Sequence, residues 1–341
     1  AFQFLIRKYF LPLCRVISMN PLVFECAVGV NPHSTEWGSF MTKLMKEPRA
    51  IAIDFKKYDL RMSASATCEA FEVYFALAEM VGYSSEDINL MRHIATDIVY
   101  PAMSYNGDVI IMIGTNPSGQ NLTVYLNSLV NSIYHRCAFS DVYPRKVFED
   151  HVHLTTYGDD AQSSVRSTVP KFNGKQLQAY FARFDIKITP AVKTADFTEY
   201  IEVSECDFLK RRTVWSDAHE SLVGRLNETS IFKPLHRVKE STAQSHPEIM
   251  GQVIDNALME WSYYPQEIYD KRCEQLKEIA FKHSIAHHVR GGFKTYADQL
   301  QSFKERSGLA VPLSASKNVK TKVTNLVTTH CPWEEDDEEA Y

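Results

Sequence analysis

The chain has 341 residues, 45% of them hydrophobic and 23% charged, with 13 Gly and 14 Pro, which excludes a disordered, collagenous or coiled-coil protein and allows one large domain or a few subdomains. Lys plus Arg total 37 and Asp plus Glu 42, a formal charge of -5; six of the acids sit in the single run Glu334 to Glu339, so the rest is nearly balanced and no global basic signature for nucleic acid is present. Seven cysteines (Cys14, Cys26, Cys68, Cys137, Cys206, Cys273, Cys331) are scattered without a CxxC pair, the pattern of reduced thiols rather than a zinc knuckle or a disulfide framework.

In chain order, the first 20 residues predict an amphipathic helix broken near Pro12. Soon after Ala1-Phe2-Gln3-Phe4-Leu5-Ile6 come Arg7 and Lys8, no cleavage-site pattern follows, and no apolar run reaches the ~20 residues that span a bilayer. The chain opens on Ala1 rather than Met, which points to a fragment or a processed polyprotein product. Asn31-Pro32-His33 marks a turn, and Ala50-Ile51-Ala52-Ile53 is a short buried strand ending in Asp54. Ser63 to Val81 has helical spacing, and Val109 to Ile113 reads as a strand stopped by Gly114 and Pro117. From Ser118 the pattern is helical again, with Leu122, Leu126, Leu129 and Ile133 as one apolar stripe.

His151 to Thr156 and Ala161 to Arg166 predict two strand arms around Tyr157-Gly158-Asp159-Asp160. Lys175 to Phe184 reads as a helix, Ile186 to Ile188 as a strand, Phe208 to Trp215 as extended, and the chain beyond Pro247 as mostly helical to about Gly291. Strands and helices followed by a helical end predict an α+β core with a helical C-terminal subdomain.

Three groups of residues carry chemistry. Asp54 ends a buried strand, which can hold a carboxylate rigidly in a cleft, and a turn after Phe55 would bring Asp59 to the same site. Asp159 and Asp160 lie in the hairpin turn; Asp is common in turns for backbone reasons, but two carboxylates from neighbouring strands also suit a pair of Mg²⁺ ions in phosphoryl transfer. Gly119, Thr123 and Asn127 recur every four residues and predict a small, polar helix stripe beside the leucines, with Ser118 as an N-cap.

In this order the segments resemble the RNA-dependent RNA polymerases of positive-strand, picorna-like viruses. Ala52-Ile53-Asp54 through Asp59 is similar to motif A, Ser118-Gly119 with Thr123 and Asn127-Ser128 to motif B, and Tyr157 to Asp160 to the GDD motif C. Thr189 to Lys193 resembles motif D, Phe208-Leu209-Lys210-Arg211 resembles motif E, and Val28 to Pro32 is similar to a segment that precedes motif A. The resemblance implies that Asp54 and Asp159 bind catalytic Mg²⁺, for which Mn²⁺ can substitute, with Asp160 assisting. It implies that Asp59 and Asn127, helped by Ser118, Gly119 and Thr123, recognise the ribose of the incoming nucleotide. Lys193 would be the general acid for pyrophosphate, and Phe208, Leu209, Lys210 and Arg211 would grip the nascent RNA.

The fold so implied is a right-hand polymerase of the α+β class, an RRM-like antiparallel sheet flanked by helices. The palm is expected over 1–90 and 118–222, a fingers insertion over 91–117, a thumb over 223–330 and an acidic tail over 331–341. A basic fingers segment is expected upstream of residue 1, outside this chain, so the isolated chain is expected to polymerise poorly or not at all. The implied partners are RNA template and primer, ribonucleoside triphosphates and other viral replication proteins, in the host cytoplasm near virus-remodelled membranes. A reverse transcriptase resembles the chain less, because Asp59 stands where that family carries a bulky aromatic. A palm-fold nucleotide cyclase would show a glycine-rich hairpin, and an RRM-like RNA-binding protein would need exposed aromatic pairs on its strands.

Overall fold

The computed structural model describes residues 2–116, 118–190, 196–237 and 241–308. They divide into two compact units, one of residues 2–30 and 42–209 and the other of residues 31–41 and 210–308. The elements run α1 (Phe2–Met19), α2 (Thr35–Leu44), β1 (Arg49–Phe55), α3 (Tyr58–Arg61), α4 (Ala64–Met80), α5 (Ser85–Val99), β2 (Ala102–Tyr105), β3 (Asp108–Ile111), α6 (Thr123–Val142), β4 (Val152–Tyr157), β5 (Asp160–Val165), α7 (Gly174–Ala182), β6 (Ile188–Pro190), β7 (Ile201–Glu202), β8 (Asp207–Phe208), β9 (Arg211–Ser216), β10 (Ser221–Leu226), α8 (Glu228–His236), α9 (His246–Trp261), α10 (Gln266–Lys282) and α11 (Tyr296–Gly308). The α+β class expected from the pattern is what is observed.

In the first unit an antiparallel sheet in the order β4-β5-β1-β6, with β7 also on β1, carries the core on one face. The pleat sorts β1 cleanly: Ile51, Ile53 and Phe55 enter the large apolar cluster, while Ala50, Ala52 and Asp54 point the other way. Val152 and Leu154 of β4 and Ala161 and Val165 of β5 join the same cluster, together with α1, α4, α5 and α6. Helix α1 runs unbroken through Pro12, against the expected break. An interior proline costs ~3 kcal/mol, and here Ile6, Tyr9, Phe10, Leu13, Cys14 and Ile17 are all buried along the helix, an apolar gain that outweighs it.

In the second unit β9 and β10 form a six-pair ladder from Arg211↔Leu226 to Ser216↔Ser221. Gly224 has the indole of Trp37 against it, so close that a Cβ there would sit 2.8 Å from the ring. Helices α8 to α11 bury Ile231, Ile254, Leu258, Trp261, Tyr269, Leu276 and Tyr296 in a separate cluster. Among the described residues six cysteines are free thiols, and no helix is long and apolar enough to cross a membrane.

Candidate active site

Strands β1 and β5 pair so that Asp54 faces Asp160, and β5 pairs with β4 so that Asp160 faces Tyr157. Directly opposed residues of an antiparallel pair point to the same side with Cβ atoms ~4.5–5.5 Å apart, so the two carboxylates share one face at the end of the sheet. Between Tyr157 and Asp160 the turn has two residues. Gly158 takes a left-handed φ of 64° and Asp159 does not, which is the sequence logic of a type II′ hairpin. Asp159 is thereby exposed at the tip while Gly158 is buried.

Helix α6 holds that turn. Ser128 Oγ accepts from the Gly158 N–H at 2.8 Å and donates to the Val124 carbonyl at 2.7 Å, while Asn131 Nδ2 donates to the Gly158 carbonyl at 3.0 Å. Both backbone polar groups of Gly158, the residue before Asp159, are thus satisfied by side chains of a single helix. Two residues before Gly158, Thr156 donates through its N–H and its hydroxyl to the Glu25 carbonyl, each at 2.7 Å. Glu25 itself is buried and paired with Arg136 of α6, and its carboxyl pKa is raised by that burial against the pull of the guanidinium. Helix α6 is buried on almost every side, Asn127, Ser128, Asn131 and Ser132 included, so these polar side chains are packed inward rather than turned to solvent.

The expected helical stripe is also corrected. The helix starts at Thr123, its N-cap position is Leu122 rather than Ser118, and Gly119 lies before it in a turn with φ 100°. Ser118 and Gly119 are exposed there, and the Thr123 hydroxyl donates to the Gln120 carbonyl at 3.0 Å to close the loop onto the helix. Gly119 and Asn127 therefore share no helix face, because a left-handed glycine interrupts the periodicity between them.

After Phe55 the chain does turn. Lys57 is left-handed at φ 56° and leads into α3, whose first turn carries Asp59, half-buried. Tyr58 packs on Phe55 with ring centroids 4.7 Å apart, and its hydroxyl donates to the Asn127 carbonyl at 3.0 Å. Burial first, then the nearby Tyr134 and Asp159, pushes the Tyr58 phenol well above its ordinary range, so this hydroxyl stays a donor. Asn116, fully buried, links the two halves: its N–H donates to the Asp59 carbonyl at 2.9 Å and its Nδ2 to Asn127 Oδ1 at 2.6 Å.

Asp160 has a second tie, because its Oδ2 accepts from the Leu209 N–H at 2.9 Å. Leu209 and Lys210 are both left-handed, at φ 55° and 59°; Phe208 is buried and Lys210 exposed. Arg211 is buried, with its guanidinium paired at 2.8 and 2.5 Å to the two carboxylate oxygens of Glu260 and bonded to the Gly224 carbonyl. Lys193 lies outside the described residues.

The donor set at the end of β1 and β5 is all carboxylate oxygen, the chemistry of a hard divalent cation. Mg²⁺ is held by one or two carboxylates and completes its shell with water and phosphate oxygens, so it needs no ready cage. Among the described residues no group of three His, Cys, Asp or Glu stands close enough to form one. Asn116, Ser128 as a turn anchor, and Asn131 were not singled out in the sequence; the Asn116-Pro117-Ser118-Gly119 turn signal was the one available hint.

Comparison with known proteins gives this geometry its context. The family model described as viral RNA-dependent RNA polymerase matches residues 1–280. The chain is 28% identical over 292 residues to a replicase polyprotein of cricket paralysis virus, covering 81% of this chain and 16% of that one. It is 27% identical over 299 residues to an RNA1 polyprotein of Andean potato mottle virus, covering 82% and 39%. The chain therefore spans well under half the length of these relatives. A solved Sicinivirus 3Dpol RNA-dependent RNA polymerase shares the fold with a TM-score of 0.71 at 19% identity, over 88% of this chain and 60% of that one. With most of its length matched by the family model and its fold shared with a solved polymerase, this chain belongs to the viral RNA-dependent RNA polymerases.

Proposed function

We propose that the chain carries the catalytic centre of an RNA-templated RNA polymerase, which joins a ribonucleoside triphosphate to an RNA 3′-hydroxyl in viral genome replication and transcription. In that reaction a bond forms between the 3′-oxygen and the α-phosphorus, the bond to the β-phosphate breaks, and pyrophosphate leaves. The observation that carries the reading is the register of Asp54 opposite Asp160 with Asp159 at a turn fixed by α6. Asp54, Asp159 and Asp160 would hold the divalent cations, Mg²⁺ by preference. When bound, such ions acidify the attacking hydroxyl and offset charge on the transferring phosphate.

The remaining roles belong to the protein's own groups. Asp59 and Asn127 face the ribose, and the exposed loop at Ser118 and Gly119, with Thr123 behind it, lies where the nucleotide enters. Lys210, exposed and next in the chain to the Leu209 amide that holds Asp160, is the best-placed member of its segment to meet RNA phosphate. Phe208 and Arg211 supply packing and a buried ion pair to that segment. Lys193 remains the proposed proton donor to pyrophosphate.

The test is ribonucleotide incorporation on a primed RNA template with Mg²⁺, comparing the polymerase that contains this chain with its Asp159→Ala variant. Incorporation should fall to background in the variant while far-UV circular dichroism stays unchanged, since Asp159 is exposed. Equal incorporation by the two would overturn the catalytic assignment.

A further inference from the structure

We propose that Asn116 is a positioning residue that sets which end of the Asn127 amide meets the sugar, and so determines selection of ribonucleotides over 2′-deoxyribonucleotides; the proposal rests on the nucleotide reading given above. Asn116 is 0% exposed, and its backbone N–H and both ends of its side-chain amide are engaged. Its N–H donates to the Asp59 carbonyl at 2.9 Å, its Nδ2 donates to Asn127 Oδ1 at 2.6 Å and lies 3.5 Å from the Thr123 carbonyl, and its Oδ1 accepts from Gln120 Nε2.

These partners leave Asn116 one orientation. A backbone carbonyl only accepts, so the Asn116 nitrogen must face Thr123 and α6, which turns its oxygen to the other end, where the Gln120 amide donates to it. Asn127 must then turn its own oxygen toward Asn116. Its two amide hydrogens remain, and among the described residues nothing accepts from them. At Asp59, one carboxylate oxygen accepts from the Leu60 N–H at 3.0 Å; among the described residues the other has no partner.

A ribose 2′-hydroxyl carries one proton and two lone pairs. Between a carboxylate oxygen and an amide N–H it donates to the first and accepts from the second, and all three groups are satisfied. Were Asn127 reversed, one proton would face two acceptors and one of them would be left unpaired. A 2′-deoxy sugar leaves both Asp59 and Asn127 unpaired, the situation in which a hydrogen-bonding site rejects its analogue most strongly. One residue thus anchors both members of the pair, Asp59 through its backbone and Asn127 through its side chain.

The experiment is the ratio of kcat/KM for a ribonucleoside triphosphate to that for its 2′-deoxy counterpart, on one primed RNA template, in the polymerase that contains this chain. Asn116→Leu keeps the shape and removes the donor; the ratio should drop about ten- to a hundredfold, through the ribonucleotide KM, with the deoxynucleotide unaffected. Asn116→Asp places an acceptor there, turns the Asn127 oxygen toward the sugar, and should lower the ratio at least as far. In an Asn127→Ala background Asn116→Leu should have no further effect on the ratio, which a merely structural role would not produce.

If Asn116→Leu does not fold, Asn116→Asp carries the test. Asn116 variants that keep the parent ratio, or that weaken both substrates equally, overturn the proposal. A parent enzyme with no ribonucleotide preference, or one indifferent to Asp159→Ala, overturns the functional reading itself.

Discussion

Two hairpins of the first unit turn on two residues each and have opposite surroundings. Strands β2 and β3 turn at Asn106-Gly107, both left-handed at φ 50° and 95°, and every residue of the two strands is exposed. Strands β4 and β5 turn at Gly158-Asp159, and apart from Tyr157 and Asp160 at the turn itself every residue of the two strands is buried. Good turn chemistry is common to both. A lone two-stranded hairpin is marginal in water, so local sequence makes a turn but does not make a platform. The second hairpin becomes one because Ser128 and Asn131 of α6 close on the peptide beside Asp159.

The strongest way to break that contrast is to release the grip. Ser128→Ala with Asn131→Leu strands the Gly158 N–H and carbonyl in a buried site, which should cost about 2–4 kcal/mol of unfolding free energy, read from urea denaturation. Incorporation should fall by about tenfold or more, because small misplacements of reacting groups are expensive.

Acid should loosen the same grip more gently. His135 sits one turn beyond Asn131, donates through Nδ1–H to the Asn131 carbonyl at 2.9 Å, and burial lowers its pKa to about 4. The unfolded chain takes up a proton below about pH 6.5 that the folded chain refuses, so this contribution is complete above that pH and is lost as the pH falls toward 4. At ~1.4 kcal/mol per pH unit it amounts to at most about 3.5 kcal/mol. His135→Gln should flatten the stability curve across this window, and hydrogen exchange at β4 and β5 should report the difference.

A matched pair of substitutions sharpens the comparison further. An alanine methyl at Gly107 or at Gly158 would meet nothing within 4 Å, so each change tests backbone preference alone, about 1 kcal/mol. Gly158→Ala should lower global stability by that amount. Gly107→Ala should chiefly raise local exchange in β2 and β3, with a smaller shift in the urea midpoint. Smallest of all, Val109→Thr on the free hairpin should change stability by less than ~0.5 kcal/mol, because Val109 is already 75% exposed.

Much of this was legible in the sequence. The apolar runs ending at Asp54 and flanking Tyr157 to Asp160 marked β1, β4 and β5, and strand pairing brings Asp54 opposite Asp160. Asn106-Gly107 was a legible turn signal that reading Val109 to Ile113 as a lone strand passed over, and β2 was missed with it. What could not be read was the work of polar residues inside a helix. Spacing alone makes Ser128 and Asn131 look like a solvent face, and only the packing of α6 against β4 turns them inward. The four-residue spacing of Gly119, Thr123 and Asn127 misled for a related reason: periodicity cannot show where a helix begins, and here a glycine turn precedes it.

The bond from the Leu209 N–H to Asp160 bears on which changes the site can absorb over time. The donor is main chain, so the side chain at 209 is free to drift as long as the residue is not proline and tolerates φ 55°. Lengthening or shortening the segment by one residue is another matter, since it would move the amide away while leaving every acidic side chain in place. Sequence comparisons scored on side-chain identity would rank such an indel as harmless, yet it is the lesion to look for in lineages that have lost activity with all their aspartates intact.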